Sequence, residues 1–265
     1  MELELNVVDA FTDSVFRGNP AAVIITDEWL CDALMQSIAA ENNLSETAFV
    51  VLDEASTCHI RWFSPLTEIA FCGHATLASA FVLFKKKPEL NSLKFLAKAV
   101  GEFSVEKAES GKIQMDFPNT KPDKLETIPD ALAIGLSIPP VNVYCNAQAY
   151  FVIYESEAEV RSVERNNEAL KRLKPHDVVV TCRSEVKDYD FVSRYFWPAN
   201  GGDEDPVTGS IHTGLAPLWA ERIGKSNLVA FQASKRGGVL NCLVSDGRVI
   251  ISGNAVQYLS GTITV

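Results

Sequence analysis

The chain has 265 residues, a formal charge of −10 at pH 7 and 47% hydrophobic residues. That length allows one large domain or two ordinary ones, with enough buried surface that no disulfide or metal staple is needed. An acidic balance with scattered lysines and arginines argues against a nucleic-acid or anionic-membrane surface, and leaves room for a small anionic substrate held by a few local donors.

From the N-terminus, Leu3 to Phe11 alternates loosely and predicts a strand, and Ala21 to Ile25 a second one after turns at Thr12-Asp13-Ser14 and Arg17-Gly18-Asn19-Pro20. Thr26 or Asp27 is expected to cap a helix whose apolar stripe is Leu30, Ala33, Leu34 and Ile38, stopped by Asn42-Asn43. Leu44 to Val51 then reads as a strand carrying Glu46 on the face of Ala48 and Val50. A carboxylate there is either at an exposed edge or held for a purpose. Cys58 to Phe63 is a further strand, broken at Ser64-Pro65. It feeds Phe71 to Thr76, which opens a run from Leu77 to Phe84 that is apolar nearly all round, as expected of a helix buried on most sides. Free N–H groups of that helix's first turn, beside Gly73, make an anion site with His74 at its mouth. Lys85-Lys86-Lys87-Pro88 ends the helix.

Short strands follow at Leu93 to Phe95, Gly101 to Lys107 and Lys112 to Phe117, and Pro118 to Lys124 is the best linker. Pro129 to Gly135 suggests a short helix and Val141 to Tyr154 two strands. The charge alternation of Glu155 to Leu173 suits a surface helix. Val178 to Cys182 and Phe191 to Phe196 read as strands, followed by the acidic loop Gly201 to Asp205. A second apolar run, Ile211 to Ala220, is helical, with Asp205 before Pro206 as its expected opening cap. Strands at Val229 to Ala233, Val239 to Ser245 and Arg248 to Ser252 complete the pattern, with Asp246-Gly247 as a hairpin turn.

An internal echo runs through this order. Arg194-Tyr195-Phe196-Trp197-Pro198 repeats the Arg-aromatic-Phe-x-Pro pattern of Arg61 to Pro65, and each copy precedes a buried helix. Two similar halves are the natural reading, with boundaries at 1–117 and 118–265 and room for the last strand to return to the first half.

The residues with chemical possibilities are few. Glu46 could be a general base or acid, His74 a second proton carrier or a packed helix-start residue, and Asp205 an orienting group or a plain cap. Ser210, Gly73 and neighbouring N–H groups could hold a carboxylate. No GxGxxG, P-loop lysine, GxSxG elbow or HExxH is present, so no nucleotide cofactor, serine-hydrolase triad or metal site is expected. The six cysteines form no CxxC, no signal core follows the acidic N-terminus, and no apolar run approaches ~20 residues. A reduced, soluble, cytoplasmic protein is expected.

Five motifs in order resemble one family. These are Asp9-Ala10-Phe11-Thr12, Phe16 to Val23 (FRGNPAAV), Asn43 to Phe49 (NLSETAF), Cys72-Gly73-His74-Ala75-Thr76 and Glu204 to Ser210 (EDPVTGS). Together they resemble the PhzF-like, phenazine-biosynthesis isomerase family. The resemblance implies an α/β (α+β) fold shared with diaminopimelate epimerase. Two pseudo-symmetric halves each wrap a curved mixed sheet or barrel around a central helix, with an active site in the cleft between them. It implies that the glutamate at Glu46 shuttles a proton within a small carboxylic-acid substrate without a cofactor. His74 and Asp205 would assist, and Ser45, Gly73, Gly209 and Ser210 would bind substrate. It also suggests a homodimer. The epimerases of this fold place a cysteine at the start of each central helix. Here Cys72 stands at the first place and Pro206, which cannot act as a base, at the second. The expectation is therefore an isomerase run by Glu46. Epimerisation or racemisation of an amino acid-like substrate, and a protein-interaction role with a vestigial cleft, are the alternatives.

Overall fold

A computed structural model describes residues 1–53 and 57–265. The chain divides into two compact units, residues 1–116 with 252–265 and residues 117–251.

In the first unit, β1 (Glu2–Ala10) and β2 (Asn19–Thr26) form an antiparallel pair. Gly18 turns the chain between them at φ 64°, where an added Cβ would stand 2.1 Å from the Ala10 carbonyl oxygen, so only glycine fits. Helix α1 (Asp32–Asn42) then leads to β3 (Glu46–Leu52), which runs parallel to β2 with Glu46 opposite Ala21. Strand β4 (Cys58–Phe63) pairs antiparallel with β3 and with the short β5 (Glu68–Ile69). Helix α2 (Gly73–Lys86) follows, then β6 (Ser92–Ala97), β7 (Gly101–Lys107) and β8 (Ile113–Pro118). Strand β6 lies parallel to β4, while β7 bonds β6 and β8 antiparallel. The C-terminal strand Ala255–Thr264 pairs along the whole of β1, with a bulge at Val7/Val8.

In the second unit, β9 (Asp123–Lys124) and α3 (Asp130–Ala133) precede β10 (Asn142–Cys145) and β11 (Ala149–Ile153). Helices α4 (Glu157–Ser162) and α5 (Asn167–Leu170) lead to β12 (Asp177–Arg183), β13 (Phe191–Phe196) and β14 (Glu204–Asp205). Helix α6 (His212–Ile223) is followed by β15 (Asn227–Gln232), β16 (Gly238–Ser245) and β17 (Arg248–Gly253). Strand β11 is parallel to β12, β12 antiparallel to β13, and β13 antiparallel to β14 but parallel to β15. These are the pairings of β2, β3, β4, β5 and β6 over again. Each unit is thus a mixed sheet of the same topology, and the fold class is mixed α/β.

The echo has a structural content. Arg61 grips Glu68 with Nε and Nη2, both at 2.7 Å, and Arg194 grips Glu204 at 2.8 and 3.0 Å. Each guanidinium also lies over the phenylalanine two residues on, Phe63 or Phe196, at 5.2 and 4.9 Å. A planar fork that matches a carboxylate and stacks on a ring is work lysine cannot do. In both units it staples the strand before the central helix to the short strand that follows it.

Eleven of the fourteen residues of α2 are buried, from Gly73 to Ala80 and at Val82, Leu83 and Phe84. Its polar members are quiet because Thr76 and Ser79 donate to the carbonyls of Cys72 and Ala75, each at 2.7 Å. Helix α6 is buried from His212 to Trp219 and contains Pro217. Proline has no N–H for the Thr213 carbonyl, and the Thr120 N–H takes that acceptor at 3.1 Å.

Three expectations need correction. Helix α1 starts at Asp32, not after Thr26, because Thr26 Oγ1 is spent on the Glu28 carbonyl at 2.7 Å in a local turn. The Glu155 to Leu173 stretch is not one helix. A Ser156–Glu159 capping box opens α4, and Asn166 caps a separate α5 that runs into a 3-10 turn over Lys171–Leu173. Asp205 does not cap α6, since it sits in β14 seven residues before the helix begins. Among the described residues, no helix is long and apolar enough to cross a membrane.

Candidate active site

The first unit gathers Glu46, His74, Cys72 and Asn19. Glu46 is the first residue of β3 and His74 the second of α2, so a strand start and a helix start deliver them. His74 Nε2 lies 2.9 Å from Glu46 Oε2, with side-chain exposures of 6% and 13%. The exposed-edge reading of Glu46 does not hold. On the other ring edge, His74 Nδ1 is 3.4 Å from Cys72 Sγ and 3.1 Å from Asn19 Nδ2. Asn19 and Glu46 come from adjoining parallel strands, which is why they reach opposite edges of one imidazole.

Burial opposes a charge on His74, but the Cys72 sulfur and the Glu46 carboxylate beside it prevail and hold its pKa well above the ordinary imidazole value. Burial, helped by the Glu46 charge, pushes the Cys72 thiol up to about 11. The two directions favour the charged imidazole at His74 and the protonated thiol at Cys72. A thiol in that state is a poor base. Gly73 opens α2 with its N–H free of helical bonding. A Cβ there would meet only Phe71 Cε1 at 3.8 Å, so the space before the helix is open. Ser45 is half-buried immediately before β3.

Donor atoms of Glu46, Cys72 and His74 lie within 4.8 Å of one another. Sequence spacing gave no metal site, because these residues come from two elements 26 positions apart. The donor set could hold a thiophilic divalent ion, at the cost of displacing the protons of Cys72 and His74.

The second unit gathers the remaining candidates on the segment from β14 to α6. Thr208 Oγ1 donates to Asp205 Oδ2. Gln232, fully buried, donates to the Asp205 carbonyl at 2.8 Å and accepts from the Thr208 N–H at 2.9 Å. Ser234 Oγ donates to the Pro206 carbonyl at 2.7 Å. The Asp205 carboxylate is therefore on a pinned loop. Tight turns from Gly209 and Ser210, whose carbonyls accept from His212 and Thr213, lead into α6. Gly209 is buried and Ser210 half-buried, with Ser210 Oγ accepting from Gln148 Nε2 at 2.9 Å.

His212 is structural. Its Nδ1 donates to the Thr208 carbonyl at 2.8 Å and burial pushes its pKa down to about 4. Asn19, Gln148, Thr208 and Gln232 escaped notice as site residues. Asn19 and Thr208 lie inside the quoted motifs but are neutral, and Gln148 and Gln232 lie in stretches with no motif at all.

A family model described as "Phenazine biosynthesis-like protein" (PhzC-PhzF) matches residues 8–261. An uncharacterized isomerase of Pseudomonas aeruginosa is 46% identical over 263 residues, covering 99% of both chains. The crystal structure of a phenazine biosynthesis protein of the PhzF family from Enterococcus faecalis superposes with a TM-score of 0.93 at 40% identity, covering 100% of each chain. A hydroxyproline epimerase from Agrobacterium vitis shares the fold at a TM-score of 0.58 and 11% identity, over 99% of this chain and 92% of its own.

Proposed function

This chain belongs to the phenazine biosynthesis-like PhzC-PhzF family and is an isomerase, and from that premise we propose that it moves a proton within a small carboxylic acid by glutamate acid–base catalysis. The observation that carries the reading is the buried 2.9 Å pair of Glu46 and His74 at the mouth of α2.

In this reading Glu46 takes a proton from a carbon activated by an adjacent unsaturated or carboxyl group. The electron pair left behind shifts the double bond, and Glu46 returns the same proton at the far end of the shifted system. Nothing is oxidised or reduced and no atom is lost. Imidazolium His74 holds Glu46 in place and lowers the cost of charge on it, while the free N–H groups opening α2 receive substrate oxygen. Ser45, Gly73, Gly209 and Ser210 enter as substrate contacts and Asp205 as a second acid–base helper. Help of this kind is worth ~10²–10⁴-fold in rate.

Epimerisation is the second reading, favoured by the shared fold and by Cys72 Sγ at 3.4 Å from His74. A thiol pushed up to about 11 and a proline at the second cysteine position weigh against it. One experiment separates the two. A thermal-shift screen of small carboxylic acids selects ligands, and each hit is incubated with enzyme in D₂O and followed by NMR. A rearranged skeleton of unsaturation supports the isomerase reading. Label at one stereocentre with no other change supports epimerisation. Failure of every hit to turn over would remove both.

A further inference from the structure

Ser210 is backed by a line of side chains with a fixed direction. Gln148 Nε2 donates to Ser210 Oγ at 2.9 Å and to Tyr195 Oη at 3.2 Å. Tyr195 Oη donates to Asp177 Oδ2 at 2.5 Å, and Asn200 Nδ2 donates to Asp177 Oδ1 at 2.8 Å. Asp177 is 9% exposed and Tyr195 4%. Two donors converging on the two oxygens mark Asp177 as an acceptor, which is what an ionised carboxylate can be.

Polarity then propagates outward. Tyr195 spends its proton on Asp177, so its oxygen faces Gln148 as an acceptor. That fixes which end of the Gln148 amide carries the donors, a choice a lone glutamine leaves open. Ser210 Oγ receives one of those N–H bonds. Its own proton has no acceptor among the described residues, whose remaining contacts with Ser210 go to its backbone carbonyl.

We propose that Asp177, Tyr195 and Gln148 form a positioning relay that holds Ser210 as a hydrogen-bond donor toward a carboxylate oxygen of the substrate. The proposal rests on the reading above that Ser210 contacts a substrate carboxylate, and adds what aims its hydroxyl. A carboxylate supplies the acceptor such a hydroxyl requires, whereas an ammonium group at that spot would face a donor. Gln148, Tyr195 and Asp177 act through Ser210 and touch no reacting atom.

The test reads side-chain amide ¹⁵N–¹H NMR of glutamine-labelled protein, with acetate and benzoate as carboxylate probes and no turnover needed. In ligand-free protein, Tyr195→Phe is expected to move the Gln148 Nε2 resonances. In the wild type, at least one probe should shift them saturably. Probe affinity in the Gln148 variants, which lack the reporting amide, is read by calorimetric titration: Gln148→Glu would turn Ser210 into a donor to the new carboxylate and should weaken probe binding at least tenfold. Gln148→Met, close in size but neither donor nor strong acceptor, should fall between. That order, Gln over Met over Glu, tracks polarity and is not the order a packing role would give. Unmoved Gln148 resonances in Tyr195→Phe, no response to either probe, or equal affinity of the Glu variant and wild type would overturn the relay. Because binding alone is read, failure here leaves the isomerase reading to its own D₂O experiment.

Discussion

His74 Nε2 stands 2.9 Å from Glu46 Oε2, while the opposite nitrogen of the same ring faces Cys72 and Asn19. An imidazole so enclosed keeps its charge only while the carboxylate stays. The first prediction follows. Imidazole ¹⁵N NMR should find His74 still protonated well past the pH at which a free histidine titrates, and Glu46→Gln should bring its pKa down. The linkage has a sign. A folded pKa raised above the unfolded ~6.5 adds stability that is complete below pH 6.5 and is lost as pH rises through the folded value. An unfolding series toward alkaline pH should therefore show a decline that Glu46→Gln flattens.

His212 works in the opposite direction. Its folded pKa, pushed down to about 4 by full burial, lies below the unfolded ~6.5. The neutral ring contributes stability that is complete above pH 6.5 and is lost as pH falls from there through about 4. The size is about 3 kcal/mol, from ~1.4 kcal/mol per pKa unit. His212→Asn keeps a donor near the Thr208 carbonyl without a titrating ring. Urea unfolding at pH 7.5 and pH 4.5 should show a smaller difference between the two pH values for the variant than for the wild type.

Gly214 distinguishes packing from helix propensity. In an exposed helix, glycine to alanine stabilises by about 0.5–1 kcal/mol. At Gly214 an added Cβ would sit 2.6 Å from Cζ of the buried Phe151 ring and 3.1 Å from Asn146 Nδ2. Gly214→Ala should destabilise instead, by ~1–3 kcal/mol in urea unfolding. A raised midpoint would show that α6 can back away from β11.

The donors of Glu46, Cys72 and His74 predict how the enzyme meets zinc. If Glu46 is the proton carrier, a bound ion removes it from service. Dialysis against a chelator should leave turnover of the screened substrate unchanged, and micromolar Zn²⁺ should inhibit it reversibly. Activation by Zn²⁺, or loss on chelation, would instead assign these residues to a metal centre.

Much of this was legible in the sequence because it rests on local pattern. The run from Leu77 to Phe84 has no polar face, so a helix buried on most sides was the only comfortable home for it. The Arg61 and Arg194 repeats were visible, although nothing in a linear reading said that Glu68 and Glu204 would be their partners. The C-terminal strand Ala255–Thr264 was unread in the pass along the chain, since most of its middle is exposed and Ser260-Gly261 breaks its alternation. Its strand character comes from pairing with β1, a contact some 250 residues distant. Asp205 was misread as a cap because Asp-Pro is a good helix opening, but pairing with Tyr195 holds it in β14. Neutral residues such as Asn19, Gln148 and Gln232 carry no sequence signal. Their roles appear only when the fold places an acceptor or donor within hydrogen-bonding distance.

The most direct test of the acid–base account is the Glu46→Gln enzyme in D₂O with the acid selected by the screen. The account predicts that this variant still binds the acid, melts within a few degrees of the wild type, and neither rearranges the substrate nor exchanges its carbon-bound hydrogen, a loss of at least ~10³-fold. Rearrangement at an undiminished rate would contradict it and take the proton away from Glu46.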